Sequence, residues 1–122
     1  MSNKNRRVSS RSVILGARLR NGDGDDIIAK IESEVRKAGG VLKTACADID
    51  VPYRTLQNWR NEMPKVDEAV ARGRVLEGQT RSDCGEMYKI IAIRGNMCTV
   101  LYDDEECDWT VDEVAKDEVV SE

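Results

Sequence analysis

The sequence predicts an α+β protein: a helical unit with a tight corner between two of its helices, then a small three-stranded antiparallel β module with a terminal helix. Three observations carry this expectation. Apolar residues recur at helical spacing from Ile27 to about Val75. From Met87 the pattern turns extended, with two β-rich runs on either side of Gly95-Asn96. With no Phe and 34% charged residues, a chain of 122 residues builds only a modest core, mainly from Ile, Val, Leu, Ala, Trp59 and Trp109; this disfavours a large β-sandwich or a large enzyme fold.

Taken in order, residues 1–20 form a basic arm. Met1 to Ser10 is polar and reads as disordered, whereas Ser12 to Arg20 can form a short helix with Val13, Ile14 and Leu19 on its apolar side. A helical domain is expected over residues 21–80. Asn21 to Gly24 breaks the first helix, and Asp25 or Asp26 can cap the next through a side-chain oxygen. Ile27, Ile28, Ile31, Val35 and Ala38 give that helix its apolar stripe, and Gly39-Gly40 ends it. A shorter helix follows from about Val41 to Asp48, with Leu42, Ala45 and Cys46 inward. Ile49 to Val51 forms a corner, and Pro52 opens a third helix as its first residue, with Leu56 and Trp59 in the core. Pro64 stops it, and a further helix from about Lys65 to Glu77 buries Val66, Ala69, Val70 and Val75.

Gly78 to Gly85 reads as a linker to the β module, assigned to residues 81–122. Tyr88 to Ile93 and Met97 to Tyr102 are its first two strands, Asp103 to Glu106 an acidic turn, and Cys107 to Trp109 a short third strand. Thr110 can cap a last helical turn carrying Val111 and Val114. A module of this size is expected to need a further surface to pack on.

The net charge of −4 conceals an uneven distribution. Up to Arg20 the charged residues are Lys4, Arg6, Arg7, Arg11, Arg18 and Arg20, with no acid; from Asp103 to the end ten acids face Lys116 alone. Such asymmetry suits a protein that meets a polyanion with one part only. Val13 to Leu15 is too short for a membrane span or a signal peptide, so no membrane association and a cytoplasmic location are expected. Cys46, Cys84, Cys98 and Cys107 form no CxxC pair and there is no His, so free thiols are expected rather than a disulfide or zinc framework.

Two short helices that cross steeply need a small residue at their contact, a corner residue tolerant of positive φ, and apolar anchors on the second helix. In TACADIDVPYRTLQNW, Ala45, Asp50, Val51, Leu56 and Trp59 supply these. With Thr55, they resemble the helix-turn-helix of phage small-terminase-like and resolvase-type DNA-binding proteins, over roughly a third of the chain. Asp50 stands where that pattern has glycine, and Pro52 where a capping Ser or Thr is commoner. The resemblance implies that the third helix reads duplex DNA. Tyr53, Arg54, Gln57, Asn58, Arg60 and Asn61 remain for its outward face, with chemistry suited to guanine, adenine and phosphate. Lys37, Lys43 and Thr44, near the start of the second helix, would hold the backbone, and the arm residues Arg6, Arg7 and Arg11 would follow phosphates or enter the minor groove. The competing reading of the same residues is a solvated or protein-binding helix face.

Other signals are weaker. Asn21, Asp23, Asp25 and Glu32 match part of a calcium-loop pattern, but Asp26 occupies its glycine position and helix capping explains the same acids. The acidic turn can bind a divalent ion or imitate phosphates, or simply be solvated. Cys84, Cys98 and Cys107 can meet as a metal site or be buried thiols. The run MYKIIAIRGNMCTVLYDDEECDWT resembles small SH3-like or chromo-like barrels; Tyr88, Tyr102 and Trp109 can line a recognition surface there or form the core. No nucleophile–base pair, P-loop or dinucleotide fingerprint is present, so neither catalysis nor a cofactor is expected. The expected function is non-catalytic, sequence-directed DNA binding, as a phage-type transcriptional regulator or a packaging recognition subunit, in a bacterial or phage-infected cell. A homo-oligomer is expected with a dimer favoured, because the helical hairpin is short for a packaging ring. The alternative is an inhibitor or adaptor that engages a protein partner through the acidic β module.

Overall fold

In the computed structural model, residues 13–121 are described. The arm expected over Met1 to Ser10, with Arg6, Arg7 and Arg11, lies outside the described residues. The fold is α+β: helices occupy the N-terminal half, and a five-stranded antiparallel sheet with a short helix follows.

Residues 13–20 are helical (α1) and end at the turn over residues 21–24, as the sequence predicts. The next helix, α2 (Asp25–Lys37), has Gly24 as its N-cap and no side-chain capping bond, so the expected capping by Asp25 or Asp26 does not occur. Both acids lie in the first turn, where they favour the helix dipole, and Asp26 accepts a hydrogen bond from Arg18 Nη2 at 2.8 Å instead. At the other end, Gly39 takes φ +65, and the Gly39 and Gly40 N–H groups donate to the Arg36 and Val35 carbonyls at 3.0 and 2.8 Å.

The next two helices are α3 (Leu42–Ile49) and α4 (Tyr53–Glu62). Between them Asp50 is left-handed (φ 66, ψ 46), and the Asp50 and Val51 N–H groups both donate to the Cys46 carbonyl, at 2.9 and 3.1 Å. That 6→1 closure turns the chain and drives Val51 into the core. Pro52 is the N-cap (φ −60, ψ 145) rather than the first helical residue, because the link from the buried Val51 into α4 stays extended for one more residue. Met63 separates α4 from α5 (Pro64–Gly73).

The last of these helices stops short of the expected Glu77. Gly73 packs where α5 meets α2: a Cβ there would lie 2.7 Å from both the Glu32 carbonyl oxygen and Val35 Cβ. The chain divides into two units at this point, one ending at Gly73 and one beginning at Arg74. The first unit's core joins Ile31 and Val35 of α2, Ala45 and Cys46 of α3, Leu56 and Trp59 of α4, and Val66, Ala69 and Val70 of α5. Val75, expected on the helical stripe, belongs instead to the core of the second unit.

That second unit holds β1 (Thr80–Asp83), β2 (Glu86–Arg94), β3 (Met97–Tyr102), β4 (Glu105–Thr110), α6 (Val111–Ala115) and β5 (Glu118–Ser121), with sheet order β4-β3-β2-β1-β5. The three expected strands are β2, β3 and β4. Two more were not expected: β1 lies within the stretch read as a linker, and β5 pairs with it after α6, so the helix is not terminal. With them the module has a core of its own, in which Val111 and Val114 of α6 join Val75, Tyr88, Ile90, Cys98 and Val100. The hairpin turns fall at Gly95-Asn96, as expected, and at Cys84-Gly85 and Asp103-Asp104, where both central residues have positive φ. Thr110 caps α6 as the sequence predicts, its Oγ1 accepting from the Glu113 N–H at 3.2 Å. Among the described residues no helix is long and apolar enough to cross a membrane.

Candidate nucleic-acid interface

Helical spacing places Leu56 and Trp59 on the buried side of α4, only 1% and 3% exposed. The opposite side is then the i, i+3, i+4, i+7 set Arg54, Gln57, Asn58 and Asn61; Gln57 is half-buried and the other three are exposed. The sequence missed what secures this orientation from outside. Gly16 of α1 lies against the indole of Trp59, and Arg20 of α1 is ion-paired with Glu62 at the end of α4. The guanidinium holds the Glu62 carboxyl below the usual carboxylate range. An exposed Arg and Glu so far apart in sequence gave no local signal of this tie.

The six α4 residues expected to face outward separate into two groups. Arg54, Asn58 and Asn61 are exposed and make no side-chain hydrogen bond or ion pair among the described residues. Tyr53, Gln57 and Arg60 are instead linked to one another. Gln57 Nε2 donates to Tyr53 Oη at 2.9 Å, Arg60 Nη1 donates to Gln57 Oε1 at 2.9 Å, and Arg60 Nε donates to Asp67 Oδ1 of α5 at 2.9 Å. Arg60 is thus committed to Gln57 and Asp67 and is not a spare cation on the outward face.

Of the residues expected to hold a nucleic-acid backbone, Lys43 and Thr44 lie exposed in the first turn of α3. The Lys43 ammonium stands 5.8 Å from the centroid of the Tyr53 ring, which brings the starts of α3 and α4 together. Lys37 belongs to the last turn of α2, where it pairs with Glu34 at 3.6 Å. Between α3 and α4 lies a shallow depression of about 330 Å³ lined by Lys43, Asp50, Pro52 and Tyr53 among others. Arg6, Arg7 and Arg11 fall outside the described residues.

Charge separates along the chain more sharply than the tails suggested. Up to Gly73 there are fourteen Lys and Arg against ten Asp and Glu, a net +4; from Arg74 there are five against thirteen, a net −8. On the second unit's surface, Met87, Ile91, Met97 and Leu101 are exposed. Tyr88 is buried, with its ring edge-on to Trp109 at 4.8 Å; Tyr102 and Trp109 are half-buried and pack on the same core. These aromatics are therefore core residues, the second of the two readings their sequence allowed.

The metal readings fare differently from the aromatics. Among the described residues no group of three or more His, Cys, Asp or Glu could hold a metal ion. Glu32, the twelfth position of the calcium-like pattern, is instead paired with Arg72 at 2.7 Å and Arg36 at 3.4 Å. Cys98 is buried, Cys107 half-buried and Cys84 exposed, all as free thiols, and burial pushes the Cys46 thiol up. No family model, curated protein or solved structure matches the chain.

Proposed function

We propose that the first unit is a helix-turn-helix that binds double-stranded DNA, with α4 in the major groove and no catalytic step. One observation carries this reading: the left-handed corner at Asp50 separates α3 from α4, and α4 offers Arg54, Asn58 and Asn61 unencumbered while burying Leu56 and Trp59. Arginine presents a fork to guanine O6 and N7, and asparagine pairs with the adenine edge, so this stripe suits base reading. Lys43, Thr44 and the basic residues preceding α1 supply phosphate contacts. The net positive charge of the first unit supports the same assignment.

Titration of a labelled duplex at two salt concentrations tests it. The wild type binds with an affinity that falls as salt rises, and Arg54→Ala costs about 1–3 kcal/mol. Absence of salt-dependent binding rules the reading out. Within it, the resemblance to phage small-terminase-like proteins favours a regulator or a packaging recognition subunit in the cytoplasm of a bacterial or phage-infected cell. Mass in solution discriminates, since a dimer suits operator half-sites and a ring of many subunits suits packaging.

A second reading draws on the other unit. Its net −8 charge and exposed Met87, Met97 and Leu101 favour an adaptor or inhibitor that holds a basic protein partner. Capture of a basic partner that survives Arg54→Ala and is lost on Leu101→Asp would support it.

A further inference from the structure

The chain of bonds across α4 has a direction, set by what each group can donate. Arg60 carries only donors. With Nε on the Asp67 carboxylate and Nη1 on Gln57, it fixes the Gln57 amide with its oxygen toward the guanidinium. The Gln57 NH2 is then the end that meets Tyr53, so Tyr53 Oη accepts there, at 2.9 Å. A phenol that accepts from Gln57 keeps its own proton to donate elsewhere. The opposite amide orientation would set NH2 against a cation and leave the Tyr53 hydroxyl donating inward to Gln57. Over the ring of the same tyrosine, Lys43 holds its ammonium 5.8 Å from the centroid, and both residues line the depression between α3 and α4. Asp50 lines the same depression and repels an anion, so a phosphate there requires both a directed donor and a cation.

We infer that Tyr53 and Lys43 form a phosphate-gripping pair where α3 meets α4, and that Asp67 of α5 is its positioning residue, acting through Arg60 and Gln57. This rests on the DNA-binding reading above, with a backbone phosphate of the duplex as the ligand. It makes an acidic residue favour the binding of a polyanion, the opposite of what its charge alone would do.

The test measures affinity of the full-length chain for a mixed-sequence labelled duplex at one low and one moderate salt concentration. Tyr53→Phe is expected to weaken binding about threefold to tenfold, the worth of one hydrogen bond. Asp67→Ala is expected to weaken it by a similar factor although it removes a negative charge, and Asp67→Asn, which still accepts from Arg60, to restore most of the loss. The decisive variant is Asp67→Ala with Tyr53→Phe, expected to bind no more weakly than Tyr53→Phe alone. Thermal unfolding of each variant verifies the fold, and the Arg60–Asp67 pair, whose carboxylate is exposed, contributes little to it. Should Asp67→Ala fail to fold, Gln57→Met cuts the same chain at its middle link, with the same expected non-additivity. Unchanged or tighter binding by Asp67→Ala, or losses that multiply in the double variant, overturn the inference while the DNA reading stands. No binding by the wild type overturns the DNA reading, and this inference with it.

Discussion

Arg81 shows how a single charged residue can hold a small β module together. It is 3% exposed, and its guanidinium donates to Gln79 Oε1 (3.1 Å), to the Val114 and Asp117 carbonyls beside the end of α6 (3.1 and 2.8 Å), and to the Arg74 carbonyl (3.0 Å). A cation at a helix C-terminus is favoured by the dipole, and the buried fork answers three backbone carbonyls at once. Arg81→Met leaves those acceptors without this donor and is expected to cost about 2–4 kcal/mol in urea unfolding. Arg81→Lys, a point donor in place of a fork, recovers only part of this. Nearby, burial first, and then its hydrogen bond to the Asp117 carboxylate, push the Tyr88 phenol well above its ordinary range. The folded state thus favours the neutral phenol. Its contribution is complete below the unfolded value near 10 and is lost as pH rises from there toward the folded value. Stability followed by urea unfolding should fall above about pH 10 in the wild type and fall less steeply in Tyr88→Phe. Tyr102, which donates to Glu86 at 2.6 Å and is shifted the same way, keeps a residual slope in that variant.

Among the elements, the helices follow the 3.6-residue apolar period closely, and their ends account for most departures. Ile27, Ile31 and Val35 could be read from spacing alone, and so could Leu56 and Trp59. Which residue forms the cap, Gly24 rather than Asp25 or Asp26, depends on local backbone angles, and spacing does not carry those. Two strands escaped notice for related reasons: in Thr80–Asp83 the inward residue is Arg81 rather than an aliphatic, and Glu118–Ser121 lies in a run whose acids mask a short edge strand. The outward stripe on α4 was legible because it is the complement of the core stripe. The bond from Arg60 to Asp67 was not, since the break at Met63-Pro64 resets the helix direction and i-to-i+7 spacing no longer means one face. The close approach of α2 and α5 at Gly73 was likewise hidden, because the apolar spacing carries the helical run past Gly73 to Val75 and a residue with no side chain leaves no mark on that stripe. There Gly73→Ala is expected to cost about 1–3 kcal/mol: the added methyl meets the Glu32 carbonyl and Val35, so the two helices must separate. Gly78→Ala has open space around its Cβ and differs in kind; φ +89 makes it a backbone penalty of about 1 kcal/mol with no repacking. Crystal structures of the two variants would separate these causes, a widened α2–α5 spacing appearing only for Gly73→Ala.

At the scale of the whole molecule, opposite charge on two units with separate cores has a consequence that neither unit has alone. A duplex approaching the first unit meets a net +4, but the chain it belongs to is −4, because the second unit contributes −8. Long-range attraction depends on the sum, whereas contact with phosphates and base edges depends on local groups such as Lys43 and Arg54. Screening separates the two contributions, since the Debye length is about 30 Å at 0.01 M salt and about 8 Å at 0.15 M. A fragment ending at Gly73 retains every residue of its own core. It is expected to bind a duplex more tightly than the full chain at low salt, by roughly tenfold, with the gap closing toward physiological salt as the acidic unit is screened out. Adding the second unit as a separate polypeptide should leave the fragment's affinity unchanged at moderate salt if repulsion of the polyanion is its only effect. A gap that persists undiminished at high salt would instead mean that the second unit blocks the DNA-binding face by contact.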